Sequence, residues 1–387
     1  MKNVFFKALA LCLCLVMVGA IFAGCNKKEE DAIVIGFSGP LTGGAAVYGT
    51  AVKNSAEMAV EEINANGGLN GTPLKIIAED DKHDPALVET NYATLMDKGM
   101  QVSLGTVTTN PGLEFKTLAK NDNVFFLTPS ASGDDIPEFE NGYQMCFADS
   151  NQGEKVAVEY VKGKYTNEGE VGIFYKSDDA YSKGIYDKFK ASLDSGIKTV
   201  EASFTDSTDK DFASQIATLK DCKFIFMPIY YTPAALFMNQ AKSIIGADTV
   251  YFGCDGFDGL EGQLGDDMVS IPQAITMLSH FNSKATEGKA YDFAKKYTEK
   301  FGKDTLNQFG AAAYDCIYAL YNAMDAAVKA GKEINADTSA SDLCEILKEQ
   351  FNGGFTYSGA TGENIKWQAS GYVDKAAVAY TIKEKNA

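Results

Sequence analysis

The chain has 387 residues, 45% hydrophobic and 22% charged; it is too long for one ordinary core and too apolar for a disordered segment, so two domains are expected. Its formal net charge is −17, and no arginine occurs anywhere, lysine carrying the positive charge. Nucleic acid is therefore excluded as an expected partner, since phosphate binding wants clustered positive charge, and the scattered Lys, Asp and Glu read as solvated faces.

The N-terminus, "MKNVFFKALALCLCLVMVGAIFAGCNKKEED", places Lys2 and Lys7 before an uncharged apolar run from Ala8 to Phe22, followed by small residues. That is the layout of an export signal. The run is short for a membrane anchor, which needs about 20 apolar residues. The stretch Phe22-Ala23-Gly24-Cys25 resembles the lipobox of bacterial lipoproteins, which implies a signal peptide over 1–24, acylation of Cys25 and a tether over 25–31. A plain cleaved secretory signal is the alternative. Cys12 and Cys14 leave with the signal, and Cys146, Cys222, Cys254, Cys316 and Cys344 remain, without a CxxC pair or metal spacing. Cysteines in apolar runs such as "QMCF" read as small buried hydrophobes, with one disulfide left open.

Strands are expected at "AIVIGFSG", "PLKIIAEDD", "VSLGTV" and "NVFFLTPS", then at "EVGIFYKS", "KTVEASF", "KFIFMPIYY" and "TVYFGCDG". Helical stretches lie between them. Thr50 to Asn66 is one, with Ala56, Ala59, Val60 and Ile63 on one face and "NGG" as its stop. Strand, helix, strand at this spacing predicts parallel sheets, in two sets over residues 31–146 and 147–255. A strand-like "QAITMLSHF" and helices at 286–301, 309–330 and 341–351 follow. The last segment, "GGFTYSGATGENIKW" to "AAVAYTIK", reads as strands and hairpin turns; it is too small to stand alone and is expected to complete the first two units.

Ligands of open parallel sheets sit beyond the carboxyl ends of the strands, and there this sequence turns polar: "GFSGPLTGGAAVYG", "GTVTTNP", "LTPSAS", "YKSDDAYSKG", "IYYTP" and "GCDG". Taken singly, Ser130 and Ser132 are turn or cap hydroxyls, Asp255 before Gly256 is a turn acid, and Tyr181 and Tyr230 are core or rim aromatics. Together, at successive strand tips of two units, they suggest a cleft closing on something small.

Catalysis finds no constellation. A serine triad needs a histidine near the nucleophile, and the two histidines, His83 in "DDKHDPA" and His280 in "MLSHF", read as surface or core residues. There is no GxSxG elbow, GxGxxG fingerprint or GxxxxGK[ST] loop. The acids of "DDKHD" could hold a metal but read as a solvated turn. No enzyme, metal or cofactor is expected.

The joint pattern resembles the type I periplasmic binding proteins of the branched-chain amino acid (Leu/Ile/Val) class that serve ABC importers. "IVIGFSGPLTGGAAVYGTAVKNSAEMAVEEINANGGLNGTPLKIIAEDDKHDP" is similar to that family's first unit, and "GTVTTNP", "FFLTPSAS", "DDAYSKG", "MPIYYTPAA" and "FGCDG" follow in its order, over residues 31–383. The resemblance implies an α/β fold of two doubly wound parallel-sheet lobes joined by a three-crossover hinge. Crossovers are expected near Cys146, Pro272 to Ala274 and Gly353-Gly354, giving a first lobe of 32–146 plus 275–352 and a second of 147–274 plus 353–387. The family's disulfide is expected to be missing, because its positions match His83 and Thr108.

The resemblance also implies an amino-acid clamp. Thr109, with Thr108 as its rival, would bind the α-carboxylate. Ser130, Ala131 and Ser132 would hold carboxylate and ammonium, and Asp255 would face the ammonium. Tyr181 and Tyr230, with Tyr231 adjoining, would close from the second lobe, and Tyr48 would pack on the side chain. A buried zwitterion must have both charges satisfied; neutral donors can hold its carboxylate at about 1.5 to 3 kcal/mol per charge-assisted bond, and one buried acid balances the ammonium. The implied protein is an extracytoplasmic, lipid-anchored monomer with no cofactor, delivering a free amino acid to an ABC permease. The alternative is a receptor of the same fold that signals to a membrane partner.

Overall fold

The computed structural model describes residues 31–385 apart from 138–140. The proposed signal and Cys25 lie outside the described residues.

The first sheet is wholly parallel, in the order β2-β1-β3-β4-β5, with β1 Ile33–Gly39, β2 Leu74–Asp80, β3 Val102–Ser103, β4 Phe126–Thr128 and β5 Gly142–Gln144. β1 and β4 are buried almost throughout, which is why they read as apolar runs without alternation. The helix Ala46–Ala65 covers one face through Val52, Ala56, Ala59, Val60 and Ile63. Its first turn sits so close to the preceding loop that a Cβ on Gly49 would lie 2.1 Å from the Pro40 carbonyl oxygen. The "NGG" stop works as expected, with Gly67 and Gly68 at φ of 98° and 65°. β5 escaped the sequence reading because it is three residues long and begins with glycine.

The second sheet runs β13-β10-β9-β8-β6-β7, with β6 Val171–Lys176, β7 Thr199–Phe204, β8 Phe224–Met227, β9 Val250–Gly253, β10 Ala274–Ser279 and β13 Val378–Lys383. Its pairs are parallel except β10 with β13. The expected crossover at 272–274 is corrected here: Ala274–Thr276 pair with Val250–Phe252 of β9, so the chain leaves this lobe only after Ser279. The expected return at 353–354 is also later. Residues 356–366 form a separate ribbon of β11 Thr356–Gly359 and β12 Gly362–Lys366, whose Ala360 and Thr361 amides donate to the buried Asp315 carboxylate of helix Gln308–Lys329. Trp367 donates to the Gln144 carbonyl at 2.7 Å, tying this third connection to the first one, at 145–148. The five described cysteines are free and buried.

Each lobe presents the carboxyl ends of its parallel strands to the seam between them. The site is built there.

Candidate functional site

The first-lobe side of the seam is made by the loops after β3 and β4. Thr108 caps the helix Thr109–Asn121 in extended backbone geometry, and its hydroxyl is hydrogen-bonded at 2.8 Å to Nδ1 of His83. That pair stands where the family's disulfide was expected to be missing. Thr109 has the other fate: its hydroxyl is buried without a hydrogen-bond partner among the described residues. The tip of β4 divides similarly. Ser130 donates to the Val107 carbonyl at 2.7 Å, the Ala131 amide donates to the Thr128 hydroxyl at 3.1 Å, and only the Ser132 hydroxyl is buried and unpartnered.

The second-lobe side comes from the tips of β6, β8 and β9 and from the helix Asp149–Lys155. Tyr181, two residues past the Asp179 cap of helix Ala180–Ser192, donates its hydroxyl to Asp255 Oδ1 at 2.7 Å and accepts the Gly256 amide at 2.9 Å. Tyr230 stacks on Tyr181 with ring centroids 4.7 Å apart at 10°, and its hydroxyl is buried without a partner. Tyr231 instead turns its ring edge-on against Tyr48. Burial pushes Asp255 up to about 6, opposed chiefly by the Tyr181 hydroxyl, because an apolar site disfavours the charged form and a donor restores it.

Tyr48 is a cross-lobe tie. It is 1% exposed, donates to the Gly256 carbonyl at 2.6 Å and packs against Tyr230, Tyr231 and Phe309. Of the nine side chains expected in a site, the structure thus brings Thr109, Ser132, Tyr181, Tyr230 and Asp255 together as groups with buried polar atoms at the seam. Tyr48, Thr108, Ser130 and Ala131 are there too, with their polar groups already engaged by protein.

Three residues were not singled out by the sequence, Asn110, Gln152 and Asp149, and a fourth, His83, was named there without a role in the site. Asn110 accepts the Ala180 amide at 3.0 Å and donates to Asp179 Oδ2 at 3.1 Å, bridging the lobes. His83 joins the same bridge, with Nε2 3.7 Å from Asp179 Oδ2 and its ring edge-on to Tyr230. Gln152 accepts the Asp255 amide at 3.0 Å through Oε1, which fixes the amide orientation and leaves Nε2 buried and unpartnered. Asp149 is 1% exposed with neither carboxylate oxygen partnered. The available signal was "CFADSNQG": an apolar run turning polar, as at the other strand tips. His280 is a buried core residue that burial pulls below the usual imidazole range.

Buried polar groups are almost always hydrogen-bonded. Among the described residues the exceptions include isolated atoms such as those of Ser55, Tyr92, Tyr251 and His280, and also the hydroxyls of Thr109, Ser132 and Tyr230, the amide of Gln152 and the carboxylate of Asp149, which come from the strand tips of the two lobes. Neutral donors on one side and an acid on the other can hold a carboxylate and an ammonium at once.

The model of a family described as periplasmic binding protein matches residues 32–386. A Leu/Ile/Val-binding protein homolog 3 of Brucella melitensis is 30% identical over 234 residues, 59% of this chain and 62% of that protein, so the match spans less than two thirds of that relative. A leucine-, isoleucine-, valine-, threonine-, and alanine-binding protein of Pseudomonas aeruginosa is 29% identical over 262 residues, 64% of this chain and 69% of that one. Among solved structures, the branched-chain amino acid transporter substrate binding protein LivJ of Streptococcus pneumoniae, in complex with isoleucine, superposes with a TM-score of 0.77 at 26% identity. That match covers 92% of this chain and 96% of the other.

Proposed function

The chain belongs to the periplasmic binding protein family, and on that premise we propose that it is an extracytoplasmic receptor that closes two lobes on a free amino acid and presents it to an ABC importer. Branched-chain amino acids are favoured, in line with what the Brucella, Pseudomonas and Streptococcus relatives are named for. Cys25 would carry the lipid that keeps a monomeric receptor at the cell membrane.

The observation that carries this reading is that buried polar atoms without a hydrogen bond of ordinary geometry among the described residues gather on the strand tips of both lobes, where Asp255 is buried. In the proposed complex the ligand's ammonium faces Asp255, its carboxylate takes the hydroxyls of Thr109 and Ser132, and its side chain lies against the Tyr181–Tyr230 stack. A leucine-sized side chain so buried adds about 1.5 to 3 kcal/mol. With charge-assisted bonds at both ends, micromolar affinity, about −8 kcal/mol, is reachable after association entropy is subtracted. Because the contacts come from both lobes, the ligand stabilises the closed form over the open one.

A thermal-shift screen of the mature domain against the twenty amino acids and small amides, with the leading hit measured by calorimetry, tests the reading. At least one α-amino acid is expected to raise the melting temperature and bind at micromolar concentration or below. If none does, the amino-acid reading is wrong.

A further inference from the structure

The amino-acid reading leaves Asp149 unused. The titratable groups that act on it electrostatically come from several elements: Asp255 and Cys254 from the end of β9, Asp179 from its helix cap, Asp134 from the loop after β4, Tyr230 from the loop after β8, and Cys146 from the first connection. All are acids when they ionise. The helix Ala180–Ser192, packed alongside, presents Gly184, where an added Cβ would lie 3.5 Å from Oδ2. Two neutral groups stand on the same wall, the Ser132 hydroxyl, 1% exposed, and the Gln152 amide, 0% exposed, each with an unpartnered polar atom. A buried carboxylate beside two buried neutral groups, none with a hydrogen bond of ordinary geometry to its free polar atoms among the described residues, is what a ligand-facing wall would present.

We propose that Asp149 is a second carboxylate of the ligand chamber and enters the complex protonated, so that capture of a zwitterion takes up one proton from solution. The inference rests on the amino-acid reading. A zwitterion brings one positive and one negative charge. Asp255 balances the first, neutral hydroxyls hold the second, and a further ionised carboxylate would be a buried charge without a partner. The proton goes to Asp149 and not to Asp255 because the Tyr181 hydroxyl donates to Asp255 at 2.7 Å, which favours its charged form, while Asp149 has only the Ser132 hydroxyl close by, and neither of its oxygens accepts a hydrogen bond of ordinary geometry among the described residues. The electrostatics agree: burial first, then the carboxylates of Asp255, Asp134 and Asp179, push Asp149 well above the usual carboxylate range. The nearby Ser132 hydroxyl offsets this only in part. Protonated, Asp149 offers both a donor and an acceptor to the ligand.

The sign follows from linkage. In an open, hydrated cleft an aspartate carboxyl titrates in its ordinary range, and burial in the closed form raises Asp149 above that range. Between those values binding takes up a proton, and affinity falls by about tenfold per pH unit as pH rises.

The test is titration calorimetry of the mature domain with L-leucine, or with the screen's leading amino acid, at pH 6.5 in buffers of different ionisation enthalpy. About one proton taken up per ligand by the wild type is the expected result, with no uptake accompanying whatever binding Asp149→Asn retains. Binding by the wild type without proton uptake overturns the proposal, and so does undiminished uptake in Asp149→Asn. The two-buffer comparison on the wild type decides the matter even if the variant does not fold. Failure of every amino acid to bind is a different result, and removes the functional reading beneath it.

Discussion

Asn110 touches no proposed ligand contact, yet it is the most direct handle on closure. It lies on the first lobe and makes two hydrogen bonds to the second, accepting the Ala180 amide at 3.0 Å and donating to the Asp179 carboxylate at 3.1 Å. In Asn110→Ala both disappear from the closed form only, since in an open form these groups face water. A bond to an ionised group contributes a net of about 1.5 to 3 kcal/mol and a neutral one about 0.5 to 1.5 kcal/mol. Allowing for the Ser182 amide that still satisfies Asp179 Oδ1, a bias of about 2 kcal/mol against closure is expected, or about 30-fold weaker ligand binding. Calorimetry with the leading amino acid measures the affinity. Small-angle scattering of the ligand-free protein reads the shift toward a more open form. An unchanged dissociation constant together with an unchanged radius of gyration would refute the claim that this bridge couples closure to binding.

Other substitutions separate the ends of the ligand. Asp255→Asn keeps shape and removes the proposed ammonium partner, so amino-acid affinity should fall by about 10- to 150-fold, the worth of one charge-assisted bond; calorimetry giving a value within twofold of wild type would move the ammonium elsewhere. Thr109→Val and Ser132→Ala remove hydroxyls that hold no protein partner, so each should weaken binding by at least tenfold while leaving the melting temperature of the free protein within a few degrees; a variant that loses stability instead assigns its hydroxyl to the fold. The pH dependence of the closed form, which the ligand-free protein populates in equilibrium with the open one, has a definite sign. Burial raises Asp255 to about 6 and Asp258 to about 7, above unfolded values of about 4. Their contribution is therefore present below about pH 4 and lost as pH rises to about 7, amounting to about 3 kcal/mol for Asp255 alone. Melting curves from pH 4 to 8 should show Asp255→Asn flattening that decline, and an identical slope in the variant would show that Asp255 does not carry it.

The lobes were legible because each buried parallel strand leaves an apolar run and each ends in small polar residues at its ligand-facing tip. The limits of that legibility are physical. β5 is too short to show a pattern, and β10 read as a strand but was assigned to the first lobe until its pairing with β9 and β13 placed it in the second sheet. At the site, the chain named nine residues but could not say which hydroxyls the protein itself would consume. Ser130 and Thr108 look as exposed to a ligand as Ser132 and Thr109 in the string of letters. Only the Val107 carbonyl and the His83 ring, brought in by the fold, tell them apart. Asn110, Asp149 and Gln152 were missed for the same reason: their importance comes from the opposite lobe, and no local periodicity encodes it.

In the proposed complex one amino acid lies between the lobes with its ammonium toward Asp255 and its carboxylate toward Thr109 and Ser132. A crystal structure of the mature domain grown with the amino acid selected by the thermal-shift screen tests it most directly. The ligand nitrogen is expected within hydrogen-bond distance of Asp255 and the ligand carboxylate on both hydroxyls, with Tyr181 still donating to Asp255. A ligand bound the other way round, or outside the seam with Thr109 and Ser132 untouched, would contradict it.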